Sequence, residues 1–137
     1  MIVVDASVVT KLINTQEKGS DIATKLLLAH IQGKEKILVP SLLFFEVANA
    51  LATKSELREA YIQKGIHLLY EANFVVEEVE EENLKEASLL AKKYNTSVYD
   101  MIYAVIAKRK QATLVTSDSK FADKTKFPFI KILSSLN

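Results

Sequence analysis

Apolar positions in this chain come in short unbroken runs rather than in alternation. Residues 1–4 are wholly apolar and β-branched from Ile2 onward, the mark of a strand buried on both faces. Residues 6–14 then read as a helix. Ser20 and Asp21 suit the cap of a second helix over 22–32, with Ile22, Leu26, Ala29 and Ile31 near its buried side and Gly33 past its end. Residues 37–39 form a short strand stopped by Pro40, and Ser41 follows as N-cap of a helix over 42–53. A further helix is predicted over 56–70 and a strand over 74–76. Residues 81–94 are a charged amphipathic helix with Leu84, Ala87, Leu90 and Ala91 inward. Ser97 suits the cap of a helix over 98–110. Residues 113–116 are a strand, 119–123 a short helix and 130–133 a last strand. Strands that alternate with helices and are apolar throughout predict an α/β fold, with one central parallel sheet of about four or five strands flanked by helices on both faces.

Four acids break this pattern. Asp5 and Asp118 close the apolar strands 1–4 and 112–117, at the carboxyl ends where open α/β sheets place their sites. Glu46 and Asp100 lie inside the apolar helices 42–53 and 98–110. A carboxylate in apolar surroundings must pair, protonate or bind a cation, and no Lys or Arg is interleaved in these runs. Asp5 and Asp118 also suit helix N-caps, Glu46 an ion pair across the fold, and Asp100 a favourable charge near a helix start. One shared cation accounts for all four together. Oxygen ligands suit Mg²⁺ or Mn²⁺. His30 and His67 lie on different helices without ligand spacing, which disfavours zinc.

Composition narrows the classes further. The 137 residues suit a single domain, and 49% hydrophobic content is enough for a real core. With 18 basic and 17 acidic residues the net charge is +1, so nucleic acid would be met by a local basic patch rather than by a globally basic surface. The absence of cysteine excludes disulfides, thiolate metal sites and a cysteine nucleophile, and fits a cytoplasmic location. No signal peptide or membrane span is predicted. Gly33-Lys34 and Gly19-Ser20 lack the rest of a phosphate loop.

The four acid segments, in this order, resemble those of PIN domains. Val3-Val4-Asp5-Ala6-Ser7 is similar to their opening strand. Phe45-Glu46-Val47-Ala48-Asn49-Ala50-Leu51 and Tyr99-Asp100-Met101-Ile102-Tyr103-Ala104 are similar to their second- and third-acid helices. Leu114-Val115-Thr116-Ser117-Asp118-Ser119-Lys120-Phe121 is similar to their closing strand and fourth acid. The likeness spans nearly the whole chain and is nearest to the small, single-domain VapC-type branch. Bulky Met101 after the third acid departs from the commoner small residue.

The resemblance implies a Mg²⁺- or Mn²⁺-dependent ribonuclease, the toxin of a toxin–antitoxin pair, often a homodimer. It makes Asp5, Glu46, Asp100 and Asp118 the catalytic and metal-binding acids, with Ser7 and Thr116 as supporting polar groups. An RNA substrate calls for cations near the acids, and Lys11, Lys108, Arg109 and Lys120 are the candidates, with Lys110, Lys124 and Lys126 beside them. Asp123, between Lys120 and Lys124, reads as a solvated residue. Tyr99 and Tyr103 suit either core or base stacking. Phe44, Phe45, Leu68 and Leu69 suit a homodimer face or a groove for an antitoxin helix. The competing readings are a catalytically silent RNA-binding or scaffold domain and a structure-specific DNA nuclease. All four acids being present weighs against the first. The lack of an arch-like insertion weighs against the second.

Overall fold

The computed structural model describes residues 1–54 and 56–136. Five short strands form one fully parallel sheet. They are β1 (Ile2–Val4), β2 (Ile37–Pro40), β3 (Val75–Glu77), β4 (Thr113–Thr116) and β5 (Ile130–Ile132), in the spatial order β3-β2-β1-β4-β5. β1 is central, with Val3 opposite Leu38 on one side and Leu114 on the other. Burial explains why its run is apolar without alternation: Val3 and Val4 are sealed on both faces.

Between β1 and β2 run α1 (Ala6–Ile13) and α2 (Ser20–Ile31), and between β2 and β3 run α3 (Leu42–Ala52) and α4 (Glu59–Glu71). These four pack on one another as one layer. The chain then reverses direction across the sheet. α5 (Glu81–Tyr94) and α6 (Val98–Arg109) lead to β4 and pack together as a second layer, with α6 lying on β1, β2 and β4. α7 (Ser119–Thr125) connects β4 to β5, and a single 3-10 turn follows at Leu133–Ser135. α6 is buried from Met101 to Ala107 without a break, so it is the central helix of the domain. α5 meets it through Ala87 and Ala91, whose small side chains at i and i+4 allow close approach.

Several local expectations differ from what forms. α4 begins at Glu59 rather than at residue 56, after an extended Arg58, while Leu57 packs against the core. Residue 55 lies outside the described residues. Ser41 makes no side-chain cap, because its backbone is already helical. α2 buries Ala23 and leaves Ile31 63% exposed, so its inner face is rotated from the one its larger side chains suggest. On α5, Leu84 is exposed for the same reason. β3 is one edge of the sheet, and Val75 and Val76 remain exposed there. Of the four residues expected on a partner face, Leu69 is core and Phe44 is partly buried against Tyr70, while Phe45 and Leu68 are exposed. Among the described residues no helix is long and apolar enough to cross a membrane.

The α1–α3–α4 junction is tight enough to test. A Cβ on Gly65 would stand 2.8 Å from Ile13 Cγ2 and 2.9 Å from Leu51 Cδ1. Gly65→Ala gains helix propensity worth about 1 kcal/mol but overpacks this contact at a cost of roughly 1–3 kcal/mol. The variant should unfold at lower urea concentration than wild type with an unchanged slope of stability against urea.

Candidate active site

The strand order reverses at β1, whose neighbours β2 and β4 belong to opposite halves of the chain. The C-terminal ends of β1 and β4 therefore flank the switch point where a crevice must open. Asp5 follows β1 directly, and Asp118 stands two residues after β4. Register sets their neighbours. Val4 is opposite Val115, so the next residues, Asp5 and Thr116, come side by side.

Asp5 is held from three sides. It caps α1, with Oδ1 accepting from the Val8 amide at 3.3 Å. Ser7 Oγ donates to the same oxygen at 2.5 Å. Thr116 Oγ1, fully buried at the end of β4, donates to Oδ2. The two hydroxyls are themselves tied into the β4–α7 loop. The Ser117 amide donates to Ser7 Oγ at 2.9 Å and the Asp118 amide to Thr116 Oγ1 at 3.0 Å. Burial pushes the Asp5 carboxyl from 3.8 up to about 6. The hydrogen bonds from Ser7, Thr116 and Val8 oppose that rise, and the charge of Asp100 adds to it.

Asp118 caps α7, its Oδ1 accepting from the Phe121 amide at 3.0 Å. Capping and site membership are thus compatible, since a cap uses only part of a carboxylate. Asp100 sits in the first turn of α6, where the Ser97 hydroxyl caps the helix by accepting from the Asp100 amide at 3.0 Å. Burial raises its pKa, and the charge of Asp118 raises it further against the relief from Ser97. Glu46, half-buried on α3, is likewise raised by burial and by Asp100, while a hydrogen bond from Tyr103 opposes the rise. That bond, from the phenol to Glu46 Oε1, is 2.6 Å long. Asp100 therefore interacts electrostatically with Asp5, Glu46 and Asp118.

Tyr103 is the residue that sequence reasoning did not assign. It is buried on α6, and its own pKa lies far above the ordinary phenol value, chiefly through burial and the adjoining Glu46, so it stays a hydrogen-bond donor. Its position three residues after Asp100, on the same helix face, was the available signal. Tyr99 faces out at 60% exposure.

The candidate cations separate into two groups. Lys120 and Lys124 line a groove with Asp100, Asp118, Asn95, Thr96 and Ser97. Lys11 lines a second groove beside Ser117. Lys108 and Arg109 stand at the other end of α6, about 12 Å along the helix from Asp100, and both pair with Glu86. Lys110 pairs with Glu77. A helix that feeds a parallel strand runs antiparallel to it, so its C-terminus lies at the opposite edge of the sheet from the acids. Asp123 is exposed.

Does this donor set suit a divalent cation? Among the described residues no three His, Asp or Glu side chains gather tightly enough to hold one ion in the conformations seen. Asp5 commits both oxygens to hydroxyls, and Glu46 and Asp118 commit one each. The chemistry fits nonetheless. All four groups are oxygen donors, Asp100 repels the other three, and among the described residues none of the four is ion-paired. The carboxylates supply hard oxygen ligands with uncompensated charge.

Asp5 makes a pH prediction for the metal-free protein. Its folded pKa is raised above the unfolded value, so between 3.8 and about 6 the folded state holds a proton that the unfolded state has lost. Its contribution is therefore largest at low pH and falls through that window by up to about 3 kcal/mol. Asp5→Asn cannot titrate. In chelator, urea unfolding should show the variant gaining stability over wild type as pH rises from 4 to 6, with a flat difference above.

Comparison with known proteins follows the same geometry. The chain shares its fold with PAE2754 from Pyrobaculum aerophilum, at 24% identity and TM-score 0.73, covering 98% of this chain and 91% of that one. Mycobacterium tuberculosis VapC20, a sarcin–ricin loop cleaving toxin, aligns at 14% identity and TM-score 0.70 over 91% of this chain and 95% of that one. A toxin–antitoxin complex from Klebsiella pneumoniae aligns at 14% identity and TM-score 0.71 over 97% of this chain and 98% of that one. No curated protein gives a significant sequence match. The model of the PIN domain matches residues 2–126, which takes in all four acid-bearing segments from Asp5 to Asp118, and the chain belongs to the PIN domain family.

Proposed function

We propose that the protein is a Mg²⁺- or Mn²⁺-dependent ribonuclease and the toxin of a toxin–antitoxin pair. The observation that carries the reading is the set of four carboxylates at the switch point, coupled through Asp100 and without an ion pair among the described residues. In this reading Asp5, Asp100 and Asp118 hold the cation. When bound, the ion supplies Lewis acidity to the phosphate and to the attacking water.

The remaining chemistry belongs to the chain's own groups. Ser7 and Thr116 fix the Asp5 carboxylate in one orientation. Tyr103 occupies one oxygen of Glu46 and leaves Oε2 to take a proton from the attacking water. The raised Glu46 pKa makes that oxygen a better base than an exposed glutamate. Water adds in line at phosphorus, the bond to O3′ breaks and O3′ takes a proton from solvent, leaving a 5′-phosphate and a 3′-hydroxyl.

The test is cleavage of a mixed structured RNA with Mn²⁺ or Mg²⁺. Wild type should cut and EDTA should abolish cutting. Asp5→Asn and Asp100→Asn should each lose about 10²-fold or more while remaining folded. Product ends should be 5′-phosphate, and 2′,3′-cyclic phosphate would contradict water attack. Cutting unaltered in both variants would sink the reading.

Partner binding is proposed on the α3–α4 face. Phe45 is 74% exposed and Tyr70 67%, and Leu68 is exposed as well. Single exposed apolar residues are ordinary, but Phe45 on α3 follows Phe44, whose ring lies 5.0 Å from that of Tyr70 on α4, and such a cluster suits a homodimer partner or an antitoxin helix. The Klebsiella toxin–antitoxin complex supports the second possibility by likeness of fold. Phe45→Glu should leave thermal stability within about 0.5 kcal/mol while weakening self-association or antitoxin capture, read by sedimentation.

A further inference from the structure

We propose that the end of β4 divides the RNA path into two lysine-lined grooves, and that a single strand crosses the carboxylates with one flanking phosphate in each. This rests on the ribonuclease reading above. Ser117 and Asp118 are consecutive, yet they line different clefts. Asp118 faces the groove of Asn95, Thr96, Ser97, Asp100, Lys120 and Lys124, with a volume of about 250 Å³. Ser117 faces a groove of about 260 Å³ lined by Lys11, Lys18, Gly19, Ile132, Leu133 and Ser134. Both are smaller than the ~300–1,000 Å³ of a pocket that encloses a whole small molecule. They suit segments of a strand that continues beyond them.

The two grooves are built alike. In the first, Lys124 Nζ donates to the Asn95 carbonyl at 2.8 Å, and Lys120 has no carboxylate partner among the described residues. In the second, Lys11 Nζ donates to the Lys18 carbonyl at 2.9 Å and lies 3.6 Å from Glu17, and the exposed Lys18 has no carboxylate partner among the described residues. An ammonium on a carbonyl keeps its charge and two further donors. Each groove thus offers one anchored lysine and one without a carboxylate partner among the described residues, and in the second groove the anchored Lys11 also shares its charge with Glu17. Lys108, Arg109 and Lys110, by contrast, are neutralised by Glu86 and Glu77.

A separate observation points to a ligand in the second groove. The buried Ser117 hydroxyl has no hydrogen-bond partner, although its own amide is bound by Ser7. An unsatisfied buried hydroxyl is costly, and rotation of the Ser117 side chain toward the groove it lines would let a phosphate oxygen supply the missing partner. Gly19, at φ +92°, brings the loop against Lys11, where a Cβ would meet Lys11 Cδ and Leu133 Cδ2 at 3.4 Å. The backbone there holds the lysine stem in place.

The experiment measures binding of a single-stranded RNA at several salt concentrations in EDTA, which withholds the cation that cleavage needs. Wild type is compared with Lys18→Gln, Lys120→Gln and, as a distant control, Lys64→Gln. Lys18→Gln and Lys120→Gln should each weaken binding severalfold, and each should reduce the slope of log affinity against log salt by about 0.7. Lys64→Gln should match wild type. Lys18→Gln indistinguishable from wild type, beside a weakened Lys120→Gln, would overturn the second groove. No binding by wild type would overturn both grooves. Mn²⁺-dependent cleavage by wild type, assayed separately, tells in either case whether the ribonuclease reading survives.

Discussion

The register of β1 against β4 is the constraint on which the carboxylate edge depends. With Val4 opposite Val115, the two strands end level, and Thr116 delivers its hydroxyl to Asp5. A slip of one residue would turn Thr116 to the other face of the sheet. It would leave Asp5 buried with one hydroxyl fewer, and would break the amide contacts that carry the β4–α7 loop. Parallel pairing is specified by burial on both faces, so the apolar runs that make the core also aim the site.

The edge stores repulsion that the core must carry. Asp5, Glu46 and Asp100 all have raised pKa values, and burial is the first cause in each case. Hydrogen bonds from Ser7, Thr116, Val8, Tyr103 and Ser97 offset part of that cost without removing the charge. Buried acids with raised pKa values and no ion pair among the described residues are what the proposed chemistry needs. The continuous apolar length of α6, which carries both Asp100 and Tyr103, provides the rigid element on which such an arrangement can stand.

Capping and the proposed site draw on the same residues. Asp5 and Asp118 begin α1 and α7 by accepting backbone amides, so each acid fixes the direction in which its helix leaves the sheet. The helix in turn fixes the acid. Charge is distributed to match. The lysines at the far end of α6 pair with glutamates, whereas Lys124 beside the acids binds a carbonyl, and Lys11 binds a carbonyl and lies 3.6 Å from Glu17.

The apolar runs determined by themselves the α/β class, the parallel sheet and most of the helices, because periodicity and burial are local consequences of composition. The four acids were legible as misfits against those runs. Tertiary structure alone decided which polar groups surround them. Thr116 meets Asp5 across 111 positions, and Tyr103 meets Glu46 across 57. It also sent Lys108 and Arg109 to the opposite edge, since a helix returning to a parallel sheet carries its two ends to opposite sides of the domain. Helix faces were misread where small residues won the contact, as Ala23 did over Ile31, because close packing rewards fit as well as hydrophobicity. Sequence order names the groups with chemistry to offer, and only the long-range pairing of strands decides which of them share a place.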